Sequence, residues 1–214
     1  MSRLRLKISM SLDGYVAGPD QDVGRPLGVG GTRLHEWVFP LAVFRRILGM
    51  DGGEVNESTP VVEASIANIG ATVMGRNMFG GHPGPWDPAR PWNGWWGSNP
   101  PFHHPVFVLT HHPRAPLVME GGTTFTFVTD GFESALALAR RAAGDEDVSL
   151  AGGARAAQQY LVAGLVDEME INLVPALLGS GERLFDGVGP DLHGLELVRT
   201  VATPRVTHLK LARP

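Results

Sequence analysis

Leu4, Leu6, Ile8 and Met10 alternate with Arg5, Lys7 and Ser9, the two-residue period of a strand with one buried face. Ser11 to Pro19 follows as a turn or loop, and Asp20 to Gly31 is glycine-rich and irregular. Leu34 to Leu48 places Trp37, Val38, Leu41, Phe44 and Leu48 at helical intervals, with Pro40 near the start of that helix or breaking it. Residues 50–59 read as a polar loop. Pro60 to Asn68 reads as a helix with proline in its first turn. Short apolar runs at Ala71–Met74, Val106–Thr110, Thr124–Thr129, Val148–Ala151 and Glu168–Val174 predict strands. Phe132–Ala143 and Arg155–Ala163 predict helices between them. Leu195–Val201 and Arg205–Leu211 alternate around Thr203-Pro204 and predict a closing antiparallel hairpin. Strands that alternate with helices, then pair locally at the end, describe an α/β fold: a three-layer α-β-α domain over residues 1–214 with a mixed, mostly parallel sheet.

Gly80 to Pro105 departs from both periods. It holds Trp86, Trp92, Trp95 and Trp96, four of the five tryptophans, among glycines and prolines. This predicts an ordered loop packed by its own aromatics. It serves as a lid over a substrate cleft, a heterocycle-stacking surface or a dimer contact. Phe79 precedes it and Phe102 lies within it.

Composition narrows the function classes. The chain has 214 residues, 43% of them hydrophobic, enough for one domain with a sizeable core. With a net charge of -4 and no basic run, nothing points to nucleic acid. Absence of cysteine excludes disulfides and thiolate chemistry. No stretch approaches the roughly 20 apolar residues of a membrane span. The N-terminus reads as a first strand rather than a signal peptide, so the expected location is the cytoplasm. The pairs His103-His104 and His111-His112 lack acidic neighbours, and adjacent side chains on an extended segment diverge, so no metal site is expected.

Gly152-Gly153-Ala154, between a strand and a helix, is either a plain tight turn or a cradle whose free N–H groups hold a phosphate. Three further strand ends bear on that choice: Ser11 to Gly18, Val73 to Gly80, and Val106 to Thr110. In a parallel sheet these ends share one edge, where ligands bind.

Taken in order, "SLDGYVAG", "VMGRNMFGG", "VFVLTHHP", "VSLAGGARAAQQYL" and "GLVDEMEINLVPALLGSGERLF" resemble the dihydrofolate reductase superfamily over nearly the whole chain. The resemblance is strongest to the branch containing the reductase domain of riboflavin biosynthesis. It implies NADPH as cofactor, a small-molecule substrate and a homodimer built through the late strands. Gly75 and Arg76 match the arginine turn at the adenosine 2′-phosphate, with Asn77 and Met78 near the pyrophosphate. Leu109, Thr110 and His111 match the segment beside that phosphate. Ala151, Gly152, Gly153 and Ala154 match the pyrophosphate turn, and Ser9, Ala17 and Gly18 the nicotinamide surroundings.

The resemblance also implies hydride transfer to a pterin-like or ribosylaminopyrimidine-like heterocycle. Dihydrofolate reduction proper and non-catalytic NADPH or pterin binding stand as alternatives. Asp13 is the candidate proton donor, although Asp-Gly is also a common turn pair. Glu36 is the only carboxylate near the family's acidic helix position. It joins Trp86, Trp95 and Trp96 as the candidate substrate contacts. Two departures stand out: Ala151 occupies a position that is commonly acidic in the branch, and the Trp-rich loop replaces an arginine-bearing segment.

Overall fold

The computed structural model describes residues 2–214. Its first half contains β1 (Leu4–Ser11), β2 (Tyr15–Ala17), α1 (Ala42–Ile47), α2 (Thr59–Ile66), β3 (Ile69–Gly75), α3 (Arg76–Phe79) and β4 (Pro105–Leu109). Then follow β5 (Leu117–Val118), β6 (Thr124–Val128), α4 (Phe132–Ala143), β7 (Asp147–Gly152) and α5 (Ala154–Val162). The chain closes with β8 (Glu168–Val174), β9 (Glu182–Arg183), β10 (Glu196–Ala202) and β11 (Thr207–Ala212).

Nine strands form one sheet in the order β10-β11-β8-β1-β7-β3-β4-β6-β5. From β8 to β6 all neighbours run parallel; β5, β10 and β11 pair antiparallel. Strand alternation divides the chemistry between the two faces. Leu4 and Leu6 of β1 point to the face covered by α4 and α5, in one core with Ala71, Val73, Leu150 and Tyr160. α4 docks there because Ala135, Leu136, Ala139 and Ala143 recur on one side of it. Burying a leucine such as Leu136 contributes roughly 1.5–3 kcal/mol.

The opposite face carries two separate cores. Trp37, Leu41, Val62 and Val174 pack near α1 and α2. Met74, Phe79, Val106, Phe125 and Phe127 pack under the Trp-rich segment. Arg5 and Lys7 also point to this face and hold α2. Arg5 donates to the carbonyls of Ala64 and Ala67 at the helix C-terminus, where a cation is favoured, and Lys7 donates to Ser65 Oγ at 2.8 Å. This is the three-layer architecture expected.

The helix expected over Leu34–Leu48 is a correction. Only Gly31–Leu34 forms a short 3₁₀ turn, and α1 does not begin until Ala42. Pro40 has no N–H to give a helix and disfavours helical backbone at Phe39. Leu41 is extended at φ −67°, ψ 134°. Trp37, Val38 and Leu41 still reach the core. Their spacing therefore encodes burial on successive turns of the backbone, not one helix.

The loop after β1 is more ordered than expected. β2 pairs antiparallel with β9 in a small second sheet over the carboxyl end of β1. The approach is close: a Cβ on Gly18 would run into the backbone of Val29, and one on Gly181 into that of Ala17 and Gly18. No helix is long and apolar enough to cross a membrane among the described residues.

Candidate functional site

β1, β7, β3 and β4 are neighbours and parallel, so their carboxyl ends lie along one edge of the sheet. At about 4.8 Å per strand spacing they span roughly 14 Å. Sequence reasoning therefore picked out a continuous line of residues. Ala151 and Gly152 end β7, with Gly153 and Ala154 after them; Gly75 ends β3, with Arg76, Asn77 and Met78 after it; Leu109 ends β4, with Thr110 and His111 after it. Ser9 lies in β1, with Ala17 in β2 and Gly18 just after it, over the β1 end.

The glycine turn is shaped for close approach. Gly152 has φ 101°, a conformation that L side chains rarely adopt, and the Gly152–Gly153 peptide is cis. A Cβ on Gly153 would meet nothing within 4 Å. α5 starts at the next residue, and no side chain caps it. Its first-turn N–H groups are thus left without a side-chain acceptor. Gly75 serves packing instead: a Cβ there would stand 3.2 Å from Ala156 Cβ, so the glycine lets α5 seat against the end of β3.

Arg76 opens α3 at the end of β3. Its guanidinium lies 3.8 Å from the Trp86 ring centroid and donates to the His82 carbonyl. Its Nε is buried without a partner, and no carboxylate pairs with it among the described residues. Burial and the nearby Arg114 both lower its pKa. Arg114 was not picked out from the sequence. It sits five residues past β4, 4.8 Å from the same indole. Thr110 is buried, and its hydroxyl accepts from the His112 N–H; His111 is exposed, as is Asn77.

The Trp-rich loop caps α3. Trp95 Nε1 donates to the Met78 carbonyl at 3.1 Å and Trp92 Nε1 to that of Phe79 at 2.9 Å, satisfying two acceptors at the end of a four-residue helix. Gly80 and Gly81, both at positive φ, let these indoles close on the backbone. Trp96 meets Phe102 edge-on and stacks with Phe125. The loop lies over β3, β4 and β6, whereas Glu36 is exposed near the β1 side. The four candidate substrate contacts, Glu36, Trp86, Trp95 and Trp96, are therefore not brought together. A concavity of about 460 Å³ lies on the loop's outer side, lined by Asn93, Ser98, Val118 and Glu120, and is separate from the strand-end line.

At the β1 end the polar groups find partners within the chain. Asp13 accepts from the Leu178 and Gly179 N–H groups, the latter at 2.7 Å. The Ser11 hydroxyl and these backbone donors hold its carboxyl down to about 2. Ser9 accepts from Trp37 Nε1. Next to it on the same face, fully buried His208 bonds Asn172 Oδ1 at 2.7 Å and Ser58 Oγ at 2.9 Å. The amide oxygen requires a proton on Nδ1, so Nε2 accepts from Ser58. Burial, Arg199 and Lys7 push His208 down to about 4; burial and Lys7 push His35 down to about 4. Lys7 is itself lowered to about 8 by burial, against the pull of Glu170.

Lys7, His35 and His208 were not anticipated. A usable signal existed for Lys7, one of only two lysines in the chain, set at mid-strand in a polar position. His103 and His104 take separate partners, Gly121 O and Thr72 Oγ1. No cluster of three metal-binding side chains occurs among the described residues.

Solved structures with this fold include a protein assigned to riboflavin biosynthesis from Shewanella sp. PV-4, at 20% identity and TM-score 0.58, covering 99% of both chains. The diaminohydroxyphosphoribosylaminopyrimidine deaminase/5-amino-6-(5-phosphoribosylamino)uracil reductase of Thermotoga maritima matches at 13% identity and TM-score 0.57, covering all of this chain and 57% of its own length. Enterococcus faecalis dihydrofolate reductase matches at 14% identity and TM-score 0.50, covering 99% and 96%. At these identities the likeness is one of fold. Among proteins of curated function none matches the sequence. The RibD C-terminal domain model matches residues 2–209, nearly the whole chain. By this match, and in keeping with its fold, the chain belongs to the RibD C-terminal domain family.

Proposed function

We propose that the chain, acting as one domain over residues 1–214, is an NADPH-dependent reductase that delivers hydride to a small heterocycle of the ribosylaminopyrimidine or pterin kind. The observation that carries this reading is the adjacency of four parallel strand ends. In spatial order they supply Ser9, the Gly152-Gly153 turn, Gly75-Arg76 and Thr110. The residues fit the cofactor: a Cβ on Gly153 would meet open space, the first turn of α5 has no side-chain cap, and Arg76 has no carboxylate partner among the described residues and a buried Nε without an acceptor. In this reading the α5 N–H groups hold the pyrophosphate and Arg76 the 2′-phosphate. Ser9, Ala17 and Gly18 border the nicotinamide. Bound there, the reduced cofactor supplies the hydride, and the chain supplies position.

Asp13 takes a different role from the one the sequence suggested. A carboxyl held near 2, with its oxygens engaged by Leu178 and Gly179, is an anion that holds the loop in place and has no proton to give at neutral pH. Lys7, lowered to about 8 and two residues before Ser9 on the same face, gives its amine to Ser65 Oγ and helps hold α2, so in this reading the proton comes from water. Glu36 is exposed and gives no support to dihydrofolate reduction by a buried carboxylate. In the same reading the protein is a homodimer. β8 is paired on both sides, so on the side of the late strands the open edge is β10, where Leu197 and Val198 are exposed.

Titration with NADPH, and separately NADH, followed by nicotinamide fluorescence tests the cofactor. Tight NADPH and much weaker NADH binding are expected, then NADPH oxidation with a ribosylaminopyrimidine. Binding of neither would return Gly152-Gly153 to a plain turn. Binding without oxidation of any pyrimidine or pterin would make the chain a non-catalytic NADPH-binding protein.

A further inference from the structure

Two guanidiniums share one indole at the ends of β3 and β4. Arg76 lies 3.8 Å and Arg114 4.8 Å from the Trp86 centroid, so the two cations are no further apart than the sum of those distances. Trp86 is itself fixed by its Nε1–H to the His112 carbonyl and by its edge contacts with Phe79 and Phe127. Arg114 also stacks on Phe127 and donates to the Trp92 carbonyl and to Asn93 Oδ1 at 2.9 Å. Neither arginine meets a carboxylate among the described residues. Arg76 still has a buried N–H without an acceptor. Two half-buried like charges repel, and a chain that keeps them together without a counter-ion leaves a place for an anion.

The chemical class of that anion follows from the charge. A phosphodiester or one unit of a pyrophosphate bridge carries a single negative charge. A terminal phosphomonoester carries up to two at neutral pH, its second pKa lying at about 6, and offers three strong acceptor oxygens. Two guanidinium forks match the second better than the first.

We propose that Arg114 is a second specificity-determining residue, which with Arg76 around Trp86 forms a site for a dianionic phosphomonoester. This rests on reading the strand edge as an NADPH site, where that group is the adenosine 2′-phosphate. Discrimination against NADH then depends on both arginines.

The test measures equilibrium binding of NADPH, NADH and adenosine 2′,5′-bisphosphate to the full chain and to Arg114→Gln, Arg114→Lys and Asn93→Ala, with a thermal melt of each. Arg114→Gln is expected to weaken NADPH and the bisphosphate tenfold or more while NADH changes less than twofold. Arg114→Lys keeps the charge and recovers part of the loss. Asn93→Ala removes a loop contact but leaves the guanidinium, and keeps the preference for NADPH. Acidification through pH 6 should erode wild-type NADPH affinity more than that of Arg114→Gln, because the second phosphate charge meets Arg114. Equal loss of NADPH and NADH in Arg114→Gln, or the same shift in Asn93→Ala, would make Arg114 a fastener of the Trp-rich loop and overturn the proposal. If Arg114→Gln fails to fold, the comparison of Arg114→Lys with Asn93→Ala decides on the same terms. Should the wild type bind neither dinucleotide, the NADPH reading falls. The two-arginine site then stands only if the bisphosphate binds and Arg114→Gln loses it.

Discussion

Asp13 and Arg76 both follow a strand of the same parallel sheet, and both were expected to act on a ligand. Their surroundings differ in one respect. Asp13 has its charge answered from within: the Ser11 hydroxyl and the N–H groups of Leu178 and Gly179 supply what a carboxylate needs. Arg76 has an indole on its guanidinium, another arginine nearby, one backbone acceptor and a buried N–H with none. A charge the chain satisfies is structural. A charge that it shelters but leaves unanswered is a request for something outside the chain. Both are charged and both lie just past a strand end, so in the sequence neither fact separates them; their partners do.

The sharpest way to break the comparison is at the unanswered end. Arg76→Gln should lower NADPH affinity by roughly 10- to 100-fold, the worth of a hydrogen bond to a charged group, and leave the melting temperature near wild type. Gly153→Ala should do likewise, because its Cβ enters open space at φ −66°, costing the fold nothing while filling the cradle. A large drop in melting temperature with unchanged binding in either variant would make these residues structural too.

A second effect belongs to the answered end. His208 is neutral, fully buried and held down to about 4 against an ordinary 6.5. Its folded pKa is the lower one, so the unfolded chain binds the extra proton first. Stability should therefore fall as pH drops from about 6.5 through 4, by on the order of 3 kcal/mol for this group. Denaturant midpoints from pH 7 to 4.5 check it, and His208→Gln should flatten the slope. A slope unchanged in that variant would mean that His35 or another group carries it.

The smallest effect is expected from Asp13→Asn. Its folded pKa is depressed, so its contribution is complete above about 4 and is lost as pH falls toward 2. The variant should melt a few degrees lower at pH 7 and lose stability less steeply below pH 4. If it folds like wild type but loses turnover with NADPH still bound, Asp13 is catalytic after all.

What the sequence made legible follows from how local each signal is. Gly152, Gly153, Gly75, Arg76 and Thr110 each lie within three residues of a strand's end, and the parallel order then aligns them. Asp13 could be placed but not interpreted, because its partners Leu178 and Gly179 come from the other end of the chain. The β2–β9 sheet was missed for the same reason. Arg114 gave no signal because its meaning depends on an indole delivered by an irregular loop. The helix over Leu34–Leu48 failed for a local reason, since Pro40 outweighs apolar spacing.

The placement of the indoles has an optical consequence. Trp86 touches the two arginines at one end of the line, while Trp37 donates to Ser9 at the other, with the Gly152-Gly153 turn between. If the proposed cofactor lies along that line, the chain has an intrinsic emitter near each of its ends. The Trp86 end also carries Trp92, Trp95 and Trp96, so Trp37→Phe would leave that end reporting alone. Quenching by a fragment such as adenosine 2′,5′-bisphosphate should survive that replacement, whereas the response to the other half of a dinucleotide should be lost. Occupancy of each half of the line could be followed separately, without a label and before any substrate is known.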